Sequence, residues 1–160
     1  MPEQLSDHFS FEEFTDSSAH PELVAENRAA AASYMHAIIS TAYLIERARI
    51  IVGCPLHISS GFRCAALNSA VGGAPDSQHC RGEAADIIPS RMSPLEAFER
   101  LRKTETIMRM AGQLILEPGW IHISLGAPWR PANKCGQVLR MTRGADGNAK
   151  YSIVRPEDIL

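Results

Sequence analysis

Residues Ser77–Asp86, SQHCRGEAAD, run straight into Ile87-Ile88-Pro89. A histidine and an aspartate flank a glycine here, and the apolar pair stopped by a proline reads as a strand that carries the aspartate. His79 and Asp86 are therefore candidates for two arms of a metal clamp, one on a loop and one on a strand. The chain around His79 is dense in turn formers: Gly72, Gly73, Pro75, Asp76 and Gly82. Gly82 lets the chain turn between the two donors, because glycine adopts left-handed backbone without a steric cost. A His and an Asp at this spacing also recur without a metal, so the reading depends on a third donor and on the surrounding motif.

A zinc site that does chemistry has three protein ligands and one open position. A closed local loop cannot easily leave one side open, so the third donor should arrive from a distant strand. His122 in GWIHISL, residues 119–125, is the candidate. Period-two alternation puts Trp120, His122 and Ser124 on one face, away from Ile121 and Ile123. Cys80 adjoins His79 but is set aside, since consecutive residues rarely reach one ion and a fourth protein ligand would close the site. His36, mid-helix, is read as structural, and so is His57, just before the SSGFR turn.

Bulk properties bound the rest. With 160 residues, 45% hydrophobic and 21% charged, the chain is expected to be one domain over 1–160 with an ordinary globular core. Residues 1–20 read as an N-terminal segment and 131–160 as a C-terminal hairpin and tail. A net charge of -2 gives no whole-chain reason to expect nucleic acid or an anionic membrane as partner. The start, MPEQLSDHFSFEEF, lacks a basic opening and an apolar run of signal-peptide length, and no segment approaches the ~20 apolar residues of a membrane span. Synthesis in the cytoplasm without a signal peptide and a monomeric state are the expectations. Cys54, Cys64, Cys80 and Cys135 form no C-x-x-C pair and are expected as thiols.

Along the chain, FSFEEF carries a capping box from Ser10 to Glu13. Pro21 opens a long helix over 21–49, with Leu23, Ala30, Tyr34, Ile38, Tyr43 and Ile45 available for its inner face, and Gly53 and Pro55 end that region. LHISS reads as a strand, GFRCAALNSAV as a turn into a short helix, and AADIIP as a second strand. Ser93-Pro94 starts a helix through Arg109. QLILE and WIHISL are strands joined at Pro118-Gly119, and QVLRMTR and AKYSIV form a hairpin around GADGN. Trp129 is read as a packing residue. Helices followed by strands imply an α+β fold, with a small antiparallel sheet carrying the site.

The block SSGFRCAALNSAVGGAPDSQHCRGEAADI, followed by QLILEPGWIHISL, resembles the zinc peptidases of the D-alanyl-D-alanine carboxypeptidase and L-alanyl-D-glutamate endopeptidase family, which share the Hedgehog/DD-peptidase fold. The resemblance rests on Ser60-Gly61-Phe62-Arg63, Asn68, Val71-Gly72-Gly73, Ser77, His79, Gly82, Ala84, Asp86, Trp120, His122 and Ser124. HFSFEEF and the first helix are similar to the phage-associated branch. The resemblance implies one zinc ion held by His79, Asp86 and His122, and peptidoglycan stem peptides as substrate. It implies Arg63 near the substrate, suited to a carboxylate or a developing oxyanion, and Ser77 as a substrate-binding residue. In a phage setting, access to the wall would come through a holin or a virion.

The catalytic base follows a different pattern here. Many family members carry an acid three positions before the last histidine, where this chain has Gly119. Glu117 is the nearest acid. If Pro118-Gly119 is a two-residue turn, Glu117 lies opposite Trp120 and shares the face of His122. L-proline does not suit the positive φ of the favoured hairpin turns at that position, so the turn type decides the register. Glu83 is the competitor, although alternation turns it away from Asp86. The missing acid also leaves open a zinc-containing binding or structural module without activity, such as a phage tail component.

Overall fold

The computed structural model describes residues 2–126 and 136–160. In chain order its elements are α1 (Phe11–Thr15), α2 (Val24–Ala31), α3 (Met35–Val52), β1 (Leu56–Ser60), α4 (Ala65–Ala70), β2 (Ala84–Pro89), α5 (Pro94–Arg102), α6 (Glu105–Met110), β3 (Ala111–Leu116), β4 (Ile121–Leu125), β5 (Gln137–Arg143) and β6 (Ala149–Ile153). This is the expected α+β class. Trp129 and Cys135 lie outside the described residues. Among the described residues, no helix is long and apolar enough to cross a membrane.

The strands form one sheet in the order β1-β2-β4-β3-β5-β6. Each pairing is antiparallel except β3 with β5, which is parallel. The antiparallel expectation therefore needs one amendment. Strand β4 turns back along one edge of β3, so β5 takes the other edge, entering from the same end as β3.

Alternation along the strands gives the sheet two unlike faces. Ala85, Ile87, Leu114, Leu116, Ile121 and Ile123 point to the helical side, in one core with Ile38, Leu44, Ile45, Ala48 and Val52 of α3 and Phe98 and Leu101 of α5. Each fully buried Leu, Ile or Phe contributes roughly 1.5–3 kcal/mol relative to exposure. Their neighbours Asp86, His122, Ile115, Leu139 and Met141 point the other way, into an open cleft. Register aligns Asp86 with His122, His122 with Ile115, and Ile115 with Leu139.

The helices depart from expectation in continuity. Instead of one helix over 21–49, 3-10 turns at Pro21–Leu23 and Ala32–Tyr34 bracket α2. Tyr34 leaves helical geometry at φ -119°, ψ 10°. The break sits against the ligand loop, where a Cβ on Gly82 would lie 2.7 Å from Ile38 Cγ1 and 3.4 Å from the Tyr34 carbonyl oxygen. Tyr34 and Tyr43 are exposed, at 40% and 59%, rather than inward. The buried stripe of α3 is Ile38, Thr41, Ala42, Leu44, Ile45, Ala48 and Val52. The helix expected through Arg109 splits into α5 and α6 at Lys103-Thr104. Both capping boxes, Ser10 with Glu13 and Ser93 with Glu96, are complete; such caps contribute about 1 kcal/mol each. Gly53 ends α3 at φ +78°.

Candidate metal centre

His79 sits on a 3-10 turn, Gln78–Arg81, that ends at Gly82 in left-handed geometry at φ +69°. Thr41 Oγ1 of α3 donates to the Gly82 carbonyl at 2.8 Å, tying this loop to the core. Asp86 is mid-β2 and His122 mid-β4, directly opposite each other. The three side chains converge. His122 Nδ1 is 3.0 Å from Asp86 Oδ1, His79 Nε2 is 3.3 Å from the same oxygen, and the two ring nitrogens are 3.2 Å apart. His79 and Asp86 are buried and His122 is half-buried.

The outer nitrogens fix which atoms face inward. His79 Nδ1 lies 2.7 Å from the Gly61 carbonyl and must donate to it, so Nε2 presents a lone pair. His122 Nε2 lies 3.2 Å from Gln78 Oε1 and donates there, so Nδ1 presents its lone pair. With both rings neutral, two lone pairs and a carboxylate oxygen thus meet with no hydrogen between the rings. That arrangement is repulsive by itself and fits a cation. Donors about 2.0–2.1 Å from a tetrahedral zinc stand roughly 3.3 Å apart, the spacing this cluster already has. Each ring's outer N–H anchored on a fixed acceptor is also the usual support of a metal-binding imidazole.

Electrostatics agree with that use. Burial pushes the His79 imidazole below its ordinary value and favours the neutral, ligating form, against the pull of Asp86. Burial works against the Asp86 charge; without a metal, protons on His79 and His122 would outweigh it and hold the carboxyl below the usual carboxylate range, and a cation among the three donors would take the place of those protons. Its second oxygen, Oδ2, accepts from Arg63 Nη2 at 2.9 Å. Arg63 Nε donates to Ser60 Oγ at 2.8 Å, and its Nη1 has no partner among the described residues. Arg63 therefore stands at the cleft as expected, with a job the sequence did not suggest: it steadies a ligand.

Glu117 follows β3 and carries the register argument through. Its N–H donates to the Trp120 carbonyl at 3.0 Å, so the two are opposite each other, and Ile115 is opposite His122. Pro118 and Gly119 fill the turn, with Gly119 at φ +110°. Proline first and a positive-φ glycine second is the type II pattern, which removes the conflict between L-proline and the favoured hairpin turns. Glu117 is buried and lines the cleft with the three donors. Burial and the Asp86 charge raise its carboxyl above the ordinary value, opposed by His122 and Arg143.

Of the other expected positions, Ser77 lines the cleft, and its Oγ accepts the His79 N–H at 3.3 Å. Ser124 is fully buried and accepts the Gln113 N–H at a bulge in β3, a structural task. Glu83 pairs with Arg81 at 2.9 Å and is not among the cleft-lining residues. Cys80 is outside the converging set, with its thiol raised by burial. Cys54, Cys64 and Cys80 are free thiols. His36 and His57 are exposed on α3 and β1.

Sequence reasoning missed Gln78, the Gly61 carbonyl, and the wall formed by β5 and β6. The cleft, about 1010 Å3, is closed on that side by Leu139, Met141, Arg143 and Tyr151. Alternation within QVLRMTR already placed Leu139, Met141 and Arg143 on one face; nothing local said which sheet edge they would join.

A His–Asp–His cluster made by a loop histidine and two facing strand residues, with an acid on the same sheet face, is a metallohydrolase type of centre. The profile of the peptidase M15 family matches residues 7–124, and the chain belongs to that family of zinc D-alanyl-D-alanine carboxypeptidase-like enzymes. No curated protein matches the chain.

Proposed function

We propose that the protein hydrolyses an amide bond in the stem peptides of peptidoglycan, as a D-Ala-D-Ala carboxypeptidase or as an endopeptidase of the endolysin type, with all 160 residues forming one catalytic unit. His79 Nε2, Asp86 Oδ1 and His122 Nδ1 would hold one zinc ion. Zinc bound there supplies a Lewis acid that lowers the pKa of water and polarises the scissile carbonyl. The chain's own residues do the rest. Glu117 takes a proton from the attacking water and hands it to the leaving amine. Arg63 turns its unpartnered Nη1 towards negative charge on the substrate or on the developing oxyanion. Ser77, at the rim, binds substrate backbone.

The observation that carries this reading is the set of inward lone pairs on His79 and His122, with Glu117 on the same sheet face. Delivery to the wall through a holin or a virion belongs to the proposal. The test is digestion of purified peptidoglycan by zinc-loaded protein, followed by mass spectrometry of the muropeptides. New amine and carboxyl termini would identify the bond. Full zinc occupancy with an intact stem peptide would instead favour a binding or structural module, such as a phage tail component.

A further inference from the structure

The family match ends at Ser124, and the β5–β6 hairpin lies wholly beyond it. The hairpin nevertheless supplies a wall of the cleft, through Leu139, Met141 and Arg143 on β5 and Ala149 and Tyr151 on β6. Register explains the placement. Ile115 pairs with Leu139 and Leu116 with Arg140, so one step further along puts Met141 beside Glu117. Arg143 is two residues past Met141 and shares its face. Strands ~4.8 Å apart rising ~3.3 Å per residue put the Arg143 Cα about 8 Å from that of Glu117. Opposite Arg143 is Ala149, too small to cover a guanidinium.

Among the described residues, three guanidinium groups line the cleft, those of Arg63, Arg81 and Arg143. Arg63 is neutralised by Asp86 and Arg81 by Glu83, each at 2.9 Å. Arg143 donates to the Gly147 carbonyl at 3.1 Å and has no carboxylate partner among the described residues. Beside it runs an apolar floor of Ile115, Leu139 and Met141. A guanidinium that has no carboxylate within ion-pair distance, with Glu117 near enough to feel its charge, stands at the end of an apolar strip and suits a group with an aliphatic body and an anionic tip.

We propose that Arg143 is a specificity-determining residue: it holds a carboxylate on a substrate residue next to the bond that is cut, so that peptides with this carboxylate free are selected over those in which it is amidated. This deepens the peptidase reading and rests on it. Arg143 acts through substrate contact, and its effect falls on KM more than on kcat.

The test uses two synthetic stem peptides that differ only at the residue adjoining the bond identified by muropeptide mass spectrometry, one with a carboxylate and one with a carboxamide. The zinc-loaded full chain should prefer the acid in kcat/KM on the order of fivefold to tenfold, with the difference in KM. Arg143→Met should bring the ratio of the two to about one, and Arg143→Lys should keep part of the preference. An unchanged ratio in Arg143→Met overturns the proposal. A wild-type chain that cuts neither peptide defeats the peptidase reading instead. Calorimetric titration of the same peptides into zinc-loaded protein then decides: an acid-over-amide preference that vanishes in Arg143→Met upholds the carboxylate site, and equal affinities overturn it.

Discussion

Strands β2 and β4 and the β5–β6 hairpin share one sheet and one cleft but are held in different ways. Ala84, Ala85, Ile87, Ile121, Ile123 and Ser124 are all fully buried, so the strands carrying Asp86 and His122 have no freedom to shift. Every residue of β6 is exposed, and β5 buries only Leu139 and Met141 as a small cluster with Ile115. One side of the cleft therefore holds Asp86 and His122 on closely packed strands, and the other offers a wall whose residues can change at little cost to the fold. On the proposed reading, chemistry belongs to the first region and selection to the second.

The largest test of that division is Glu117→Gln. It should lower kcat by about 10²–10⁴ while zinc content and melting temperature stay near wild type; comparable turnover would remove Glu117 as the base. The raised carboxyl also fixes a sign. In the metal-free chain, where burial and the Asp86 charge act without an opposing cation, the Glu117 carboxyl should titrate above the ordinary glutamate value of 4.5, read by carboxyl-resolved NMR. A value at or below 4.5 would contradict the burial argument, and zinc should lower it.

Gly61→Ala should come next. A Cβ there would lie 2.4 Å from the Phe14 carbonyl oxygen and 2.7 Å from Phe14 Cα, both backbone atoms that cannot move aside. About 2–4 kcal/mol of stability should be lost, read by urea denaturation, and zinc affinity should fall with it because the Gly61 carbonyl anchors His79. Gln78→Met should weaken zinc about 10–100-fold in competition with a chromogenic chelator, since it frees the outer nitrogen of His122. Unaltered affinity would mean that the ring needs no such anchor. Ile153→Ser, on the hairpin, should move stability by less than about 0.5 kcal/mol, because the residue is 74% exposed. A larger loss would break the contrast between the two regions.

Much of the site was legible because strand alternation and turn residues are local signals. AADIIP and WIHISL are framed by Gly, Pro and apolar pairs, so the sides on which Asp86 and His122 emerge follow from period two. The Glu117 register held because Pro118-Gly119 forms a turn of the minimum length. What failed was set by distant contacts. The alanine-rich run has no breaker at Ala32–Tyr34, and the break there answers to Gly82, far away in sequence. Tyr43 lies off the stripe that Ile38, Thr41, Ala42 and Ile45 mark, so its size misled where its angle would have been the better guide. Asn27 is fully buried and bonds the Thr15 and Phe62 carbonyls and the Cys64 N–H, a clamp between distant segments that no local pattern announces. Gln78 and the Gly61 carbonyl act through a neighbour's side chain, which spacing alone does not reveal.

The parallel joint between β3 and β5 has a consequence for how the molecule opens. Within the sheet the hairpin pairs with β3 alone, and Val138 and Val154 are its reach into the main core, so β4 and β2 would keep their partners if it came away. Backbone amides of β5 and β6 should then trade their protons for deuterium well ahead of those in β2 and β4. A chain with its hairpin lifted would still bring His79, Asp86 and His122 together, but without the wall proposed to choose what reaches them.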